Sequence, residues 1–129
     1  MIANLTAVMD GLAALATTAA IAPQVYAYPV ESATVPCIVV GYPTDIELDV
    51  TFQRGGDAVR LPVWYLAGKS NTADTRDRLS TILADASSVK SAFDGAQSFG
   101  DVRVTDVGIE EITVAAIAYI AAKFTVEVI

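Results

Sequence analysis

Apolar residues recur at helical spacing at the start of the chain. Ile2, Leu5, Val8, Met9, Leu12, Leu15, Ala16 and Ala19 share one stripe, and Asn4, Asp10 and Thr17 fall off it. The spacing predicts an amphipathic helix that ends before Pro23, because the residue ahead of a proline is pushed out of the helical region. Two short β-rich runs follow, "QVYAYPV" and "TVPCIVVGY", interrupted by Pro29, Pro36 and Pro43. Proline cannot donate to a ladder, so these strands are expected at a sheet edge or at bulges. Helical period returns over Asn71 to Phe93, where Leu79, Ile82, Leu83, Ala86, Val89 and Phe93 line up. Asn71, with Asp74 in the first turn, marks its start and Gly95 its stop. From Asp101 the pattern alternates again. Ala116, Ala118, Ile120, Ala122, Phe124, Val126 and Val128 share one face of a long final strand, with Tyr119, Lys123, Thr125 and Glu127 on the other.

Between the short strands and the second helix lies "DIELDVTFQRGGDAVRLPVWYLAG". Taking Gly55-Gly56 as a two-residue hairpin loop sets Arg54 opposite Asp57. Ile46, Leu48, Val50 and Phe52 then face Tyr65, Val63, Leu61 and Val59, an apolar match that a slip of one residue would destroy. The reverse face sets Glu47, Asp49, Thr51 and Gln53 against Trp64, Pro62, Arg60 and Ala58, with Arg60 diagonal to Asp49. The order of elements is helix, two short strands, hairpin, helix, two strands. It predicts an α+β fold, a mostly antiparallel sheet with two helices packed on it, as a single domain over residues 1–129.

Composition changes this picture in two respects. Hydrophobic residues make up 53% of the chain and mean hydropathy is +0.49, more apolar surface than a domain of this size buries alone, so subunits are expected to cover it mutually. A membrane is the competing destination. The first apolar run has no Lys or Arg before it and carries Asp10, and "AAIAYIAA" is far shorter than the roughly 20 residues of a spanning helix. The net charge of -7 argues against the cationic surface that tight nucleic-acid binding needs.

Candidate chemistry is sparse. A phosphate-cradling glycine loop is followed by a helix N-terminus, whereas Gly55 and Gly56 are followed by a strand, and neither nucleotide-binding glycine motif is present. Cys37 is the only cysteine, its neighbours are apolar, and the chain has no histidine to activate it. Asp45, Glu47 and Asp49 alternate along one strand face, as a hard-cation site requires, but the same alternation follows when Ile46, Leu48 and Val50 face a core. "DTRDR" fits helix pairing between Asp74 and Arg78. No enzyme machinery and no cofactor motif is visible. Trp64, the only tryptophan, reads either as core under a helix or as an anchor at a subunit interface.

Taken together, the N-terminal helix, "VYAYPVESATVPCIVVGYP" running into the hairpin, the helix "NTADTRDRLSTILA" and the closing "YIAAKFTVEVI" resemble the tail terminator proteins of long-tailed bacteriophages, the group related to the minor tail protein U of lambdoid phages. The resemblance covers nearly the whole chain. That family is held together by pattern and not by invariant catalytic residues, so it transfers no functional residue. It implies a tail-terminator-like fold and a non-enzymatic virion protein at the head-proximal end of the tail, present in the host cytoplasm during assembly. The implied assembly is a homo-oligomeric, hexameric ring that caps the major tail tube protein, halts its polymerisation and receives the head connector or completion protein. DNA would pass through the lumen without specific binding. Gln53, Arg54, Gly55, Gly56 and Asp57 are then expected at a contact or lumen edge, with Arg60 and Trp64 beside them. Other head completion or tube subunits, and a small metal- or ligand-binding domain, are the alternatives.

Overall fold

Two strands with apolar residues on both faces form the middle of the sheet. The computed structural model describes residues 5–19, 22, 24–28, 36–47, 58–69, 73–97, 100–114 and 116–128, with side chains at 45–47, 96–97 and 100 outside the description. The helices are α1 (Leu5–Thr18), α2 (Ala73–Ala84) and α3 (Ala86–Phe93). The strands are β1 (Gln24–Tyr26), β2 (Cys37–Val40), β3 (Asp45–Glu47), β4 (Ala58–Lys69), β5 (Gly95–Gln97), β6 (Gly100–Val114) and β7 (Ile117–Val128). They make one seven-stranded sheet in the order β1-β2-β4-β7-β6-β5, with β3 pairing β4 beside β2. Only β1 and β2 run parallel, so the chain is an α+β domain with a mostly antiparallel sheet.

The three helices pack on one face. α1 lies against β1, β2 and α3, α2 against β4 and β7, and α3 against β6. Val8, Met9, Leu12 and Ala16 of α1 are buried there, which is the stripe read from the sequence. Below them lie Ile38, Val40, Leu61, Val63, Tyr65, Phe124 and Val126. The second helical stretch keeps its stripe but is interrupted at Asp85. Ile82, Val89 and Phe93 are buried on both sides of the break, and Leu79, Leu83 and Ala86 pack against them. The Asp85 amide still reaches Thr81 O at 3.1 Å, and Asp85 O accepts from the Ser88 and Val89 amides at 2.9 and 3.1 Å, so helical hydrogen bonds run up to the break and start again from it.

The hairpin forms with a register different from the expected one. Ile46 stands opposite Val59, in place of Tyr65, and Glu47 opposite Ala58, in place of Trp64. The displaced length of β4 is taken by β2, with Ile38 opposite Tyr65 and Val39 opposite Trp64. All four residues of β2 are buried, so this run suits a position covered on both faces. A strand alternating with acids does not. The displacement is an even number of residues, 65 − 59 = 6, so it leaves the alternation of faces along β3 unchanged. The loop Gly55-Gly56 and all of 48–57 lie outside the described residues.

Between β2 and β3 the register shifts around Tyr42 and Pro43, the bulge that Pro43 predicts. Gly41 and Thr44 donate to Pro62 O and Arg60 O, each at 2.8 Å, and Tyr42 is 62% exposed. Pro62 is tolerated within a central strand for the same reason. Its carbonyl meets the Gly41 amide, and its missing donor falls on that same side, where the partner bulges. β2 itself is not an edge strand, because β1 covers it.

β6 and β7 are joined through residues 115–116, and Val114 pairs with Ile117. Ala116 adopts a positive φ of 65° there, a left-handed conformation that costs a non-glycine residue about 1–2 kcal/mol. No glycine or asparagine marks this turn in the sequence. Replacing it by glycine, Ala116→Gly, is expected to stabilise the protein by about 1 kcal/mol, the relieved strain less the entropy of the more flexible unfolded chain. A higher urea midpoint at unchanged slope would show this; an unchanged or lower midpoint would refute it.

Candidate interaction surface

Arg60 and Trp64 alternate with Leu61, Val63 and Tyr65 along β4, so they project from the face opposite the helices. The reading of Trp64 as core under a helix is therefore corrected: its neighbours belong to a second, smaller apolar cluster. There Cys37, Val39, Leu66, Tyr119 and Ala121 are buried, with Tyr26, Trp64, Ile112 and Val114 packed against them. Trp64 closes over the bulge. A Cβ added at Gly41 would lie 2.5 Å from Trp64 Cζ3 and 2.7 Å from Pro62 Cγ, so glycine lets the indole lie flat on the chain. The indole Nε1 is buried without a hydrogen-bond partner among the described residues, an arrangement that costs free energy unless another group accepts from it.

Beside this cluster the face is charged. Arg60 Nε donates to Glu127 Oε2 at 3.1 Å, and Asp45 and Arg103 flank that pair in register on β3 and β6. Arg60 therefore pairs with Glu127 on the adjoining strand; the expected diagonal partner Asp49 lies outside the described residues. Lys123 approaches Glu110 at 3.6 Å. Glu110 and Gly41 were not singled out in the sequence, and Lys123 and Glu127 were placed only on a face of the last strand, since cross-strand partners depend on register. Of the expected contact residues, only Arg60 and Trp64 can be located. Gln53, Arg54, Gly55, Gly56 and Asp57 lie outside the described residues.

The acids Asp45, Glu47 and Asp49 read as a candidate cation site have side chains outside the description. Among the described residues no three His, Cys, Asp or Glu side chains gather as ligands. Burial pushes the Cys37 thiol up to about 11, so it stays protonated and unreactive near neutrality. On the helix face a cleft of about 580 Å³ opens between α1, α2 and α3, floored by Tyr65, Ile82 and Val89 and rimmed by Asp77, Arg78 and Asp85. Burial raises the Tyr65 phenol above its usual range, partly opposed by the Arg78 charge. Arg78 itself is engaged, donating to Ala67 O at 3.0 Å.

Side chains close one end of the β6 edge. Asp94, just beyond α3, accepts from the Val104 amide at 2.8 Å, and Lys90 donates to Val104 O at 2.9 Å while pairing with Asp94. Partial burial raises the Asp94 pKa, but the Lys90 and Val104 hydrogen bonds, with the charges of Lys90 and Arg103, outweigh it and hold the carboxyl below its usual value. A depressed carboxylate pKa contributes stability that is present above the unfolded value near 4 and lost as pH falls through the folded value.

No protein-family model matches the chain, and no curated protein is significantly similar to it. The fold defines the class alone, an α+β domain with a mostly antiparallel sheet. No helix of the described residues is long and apolar enough to cross a membrane.

Two measurements address this surface. Gly41→Ala should displace the single indole, shifting Trp64 fluorescence to the red and destabilising the fold by about 1–3 kcal/mol through overpacking; an unmoved emission maximum would exclude the stacked arrangement. Asp94→Asn keeps an acceptor for the Val104 amide but loses the ion pair with Lys90. It should cost about 1 kcal/mol at pH 7 and less at acid pH, as the wild-type carboxyl becomes protonated. A loss of equal size at both pH values would remove the electrostatic account.

Proposed function

We propose that this chain is a structural virion subunit, a tail terminator that forms a ring on the end of a phage tail tube, stops its polymerisation and offers a surface to the head connector. The observation that carries the reading is the division of the sheet. One face is covered by helices, whereas the other bears Arg60, Glu127 and the Trp64 cluster with no helix of the described residues over it. Half-buried tryptophan and arginine are the residue types that anchor protein contacts. The element order supports the resemblance drawn from the sequence, and the acidic balance of -7 suits a lumen that passes DNA without holding it. Head completion and tube subunits share these features and are the nearest alternatives. The cleft beside Tyr65 and Arg78 favours a different one, a small-ligand domain.

Light scattering should give the mass of a hexamer, either for the protein alone or on addition of purified tube protein, and tubes assembled without it should overgrow. A monomer that never caps tubes would refute the proposal. Exchanging residues 53–57 for a shorter neutral turn should leave the thermal midpoint unchanged and impair capping; normal capping would move the contact elsewhere.

A further inference from the structure

β6 is the longest strand, Gly100–Val114, yet its outer side is paired only at Gly100 to Val102, by β5. Val104, next along, has its amide and carbonyl satisfied by Asp94 and Lys90. Beyond it no described residue pairs with the outer edge. The tight turn after Val114 makes Val114 and Ile117 a hydrogen-bonded pair, so Glu110 and Ile112 likewise point their backbone groups at β7. Val107, Ile109, Glu111 and Thr113 alternate with them, and their N–H and C=O groups point outward. Such a row is a template for another strand.

Two side-chain features say what that strand is like. Ile109 is 61% exposed in the middle of the open edge. Gly108, beside it, has an ordinary negative φ, and a Cβ built there would meet nothing within 4 Å. The packing of the described residues thus gives no reason for a glycine, and an interior strand glycine marks a place where another backbone or a large side chain comes close. Asp106 and Glu111 lie on opposite faces of the strand with no ion pair among the described residues, and Glu110 has Lys123. A second copy of β6 would set three acids against three, so the edge disfavours self-pairing.

We propose that the outer edge of β6, Val107 to Thr113, binds an extended, basic segment of another protein by strand addition. In antiparallel register the segment places an aromatic residue opposite Gly108, an apolar one opposite Ile109, and Lys or Arg opposite Asp106 and Glu111. Main-chain hydrogen bonds hold it and the paired charges select it. This holds whether or not the chain caps tail tubes.

The probe is the capped synthetic peptide Lys-Thr-Val-Tyr-Val-Arg, titrated to millimolar concentration into isotopically labelled full-length protein and followed by amide chemical shifts. Saturable shifts confined to residues 106–113 are expected, with at least ten-fold weaker binding of the same peptide bearing Glu at both ends. The double variant Asp106→Lys, Glu111→Lys, with an otherwise native spectrum, should reverse that preference. Shifts that are absent, lie elsewhere or are equal for both peptides would overturn the proposal. So would β6 shifts that depend on protein concentration alone, which would assign the edge to a second copy.

Discussion

Pairing of β4 with β7 is the constraint on which the other elements depend. From Val59 opposite Val128 to Leu66 opposite Ala121 the two strands run in unbroken register, and residues on both of their faces are buried. A ladder buried on both sides leaves its polar backbone groups no alternative to each other, so its register is strongly specified. Sliding it by one residue would drive Arg60, Lys123 and Glu127 under the helices and bring Leu61, Phe124 and Val126 out. The rest of the sheet builds outward from these two strands: β2, carrying β1, and β3 along the free side of β4, and β6, carrying β5, along the free side of β7.

The bulges in this ladder set where the helices and the indole go. Between Leu66 and Gly68 the register shifts, and Gly68 has a positive φ of 155°, which side chains other than hydrogen rarely permit. The space left by the absent Cβ is filled by the hydroxyl of Thr75, the buried polar residue of α2. Arg78, one turn further along α2, reaches Ala67 O in the same irregular stretch. α2 is thus docked by polar contacts to the end of β4 as well as by its apolar stripe. On the reverse face the Gly41 bulge does the same for Trp64. In both places a glycine marks a close approach that an alanine would prevent.

The helices and long strands were legible because their signal is local. Val8, Met9, Leu12 and Ala16 bury as their spacing predicts, and the bulge at Pro43 follows from its missing amide. The register of the hairpin was not legible. An even displacement leaves the alternation of faces unchanged, so period alone cannot choose between registers six residues apart. Competition decides, and "CIVV", buried along its whole length, takes the stretch opposite Tyr65 and Trp64. Arg60 and Trp64 could be placed on one face by alternation alone. Glu127 could not be found, because it becomes the partner of Arg60 only once β4 and β7 are aligned. The turn at Ala116 carries no residue that announces it, and only the pairing of its flanks defines it.

The β6–β7 ribbon outlasts the sheet that supports it. β4 ends against β7 at Lys69 opposite Tyr119, while the ribbon continues through Ala118 and Ile117 to a turn that holds alanine in a strained conformation. A two-stranded ribbon is marginal alone, since each strand has hydrogen bonds on one side and little apolar cover. Here Ile117 is 38% exposed and Ile109 is 61% exposed on that same ribbon. At the other end of β6 the structure spends an acid and a lysine on the groups of a single residue, Val104, and adds β5 beyond it. The contrast within one strand is the argument that its open half belongs to a contact. Next to β5 the edge is closed by side chains, and further along, opposite Lys123 and Ala122 of β7, open backbone groups, an exposed isoleucine and a glycine with nothing described beside it stand together.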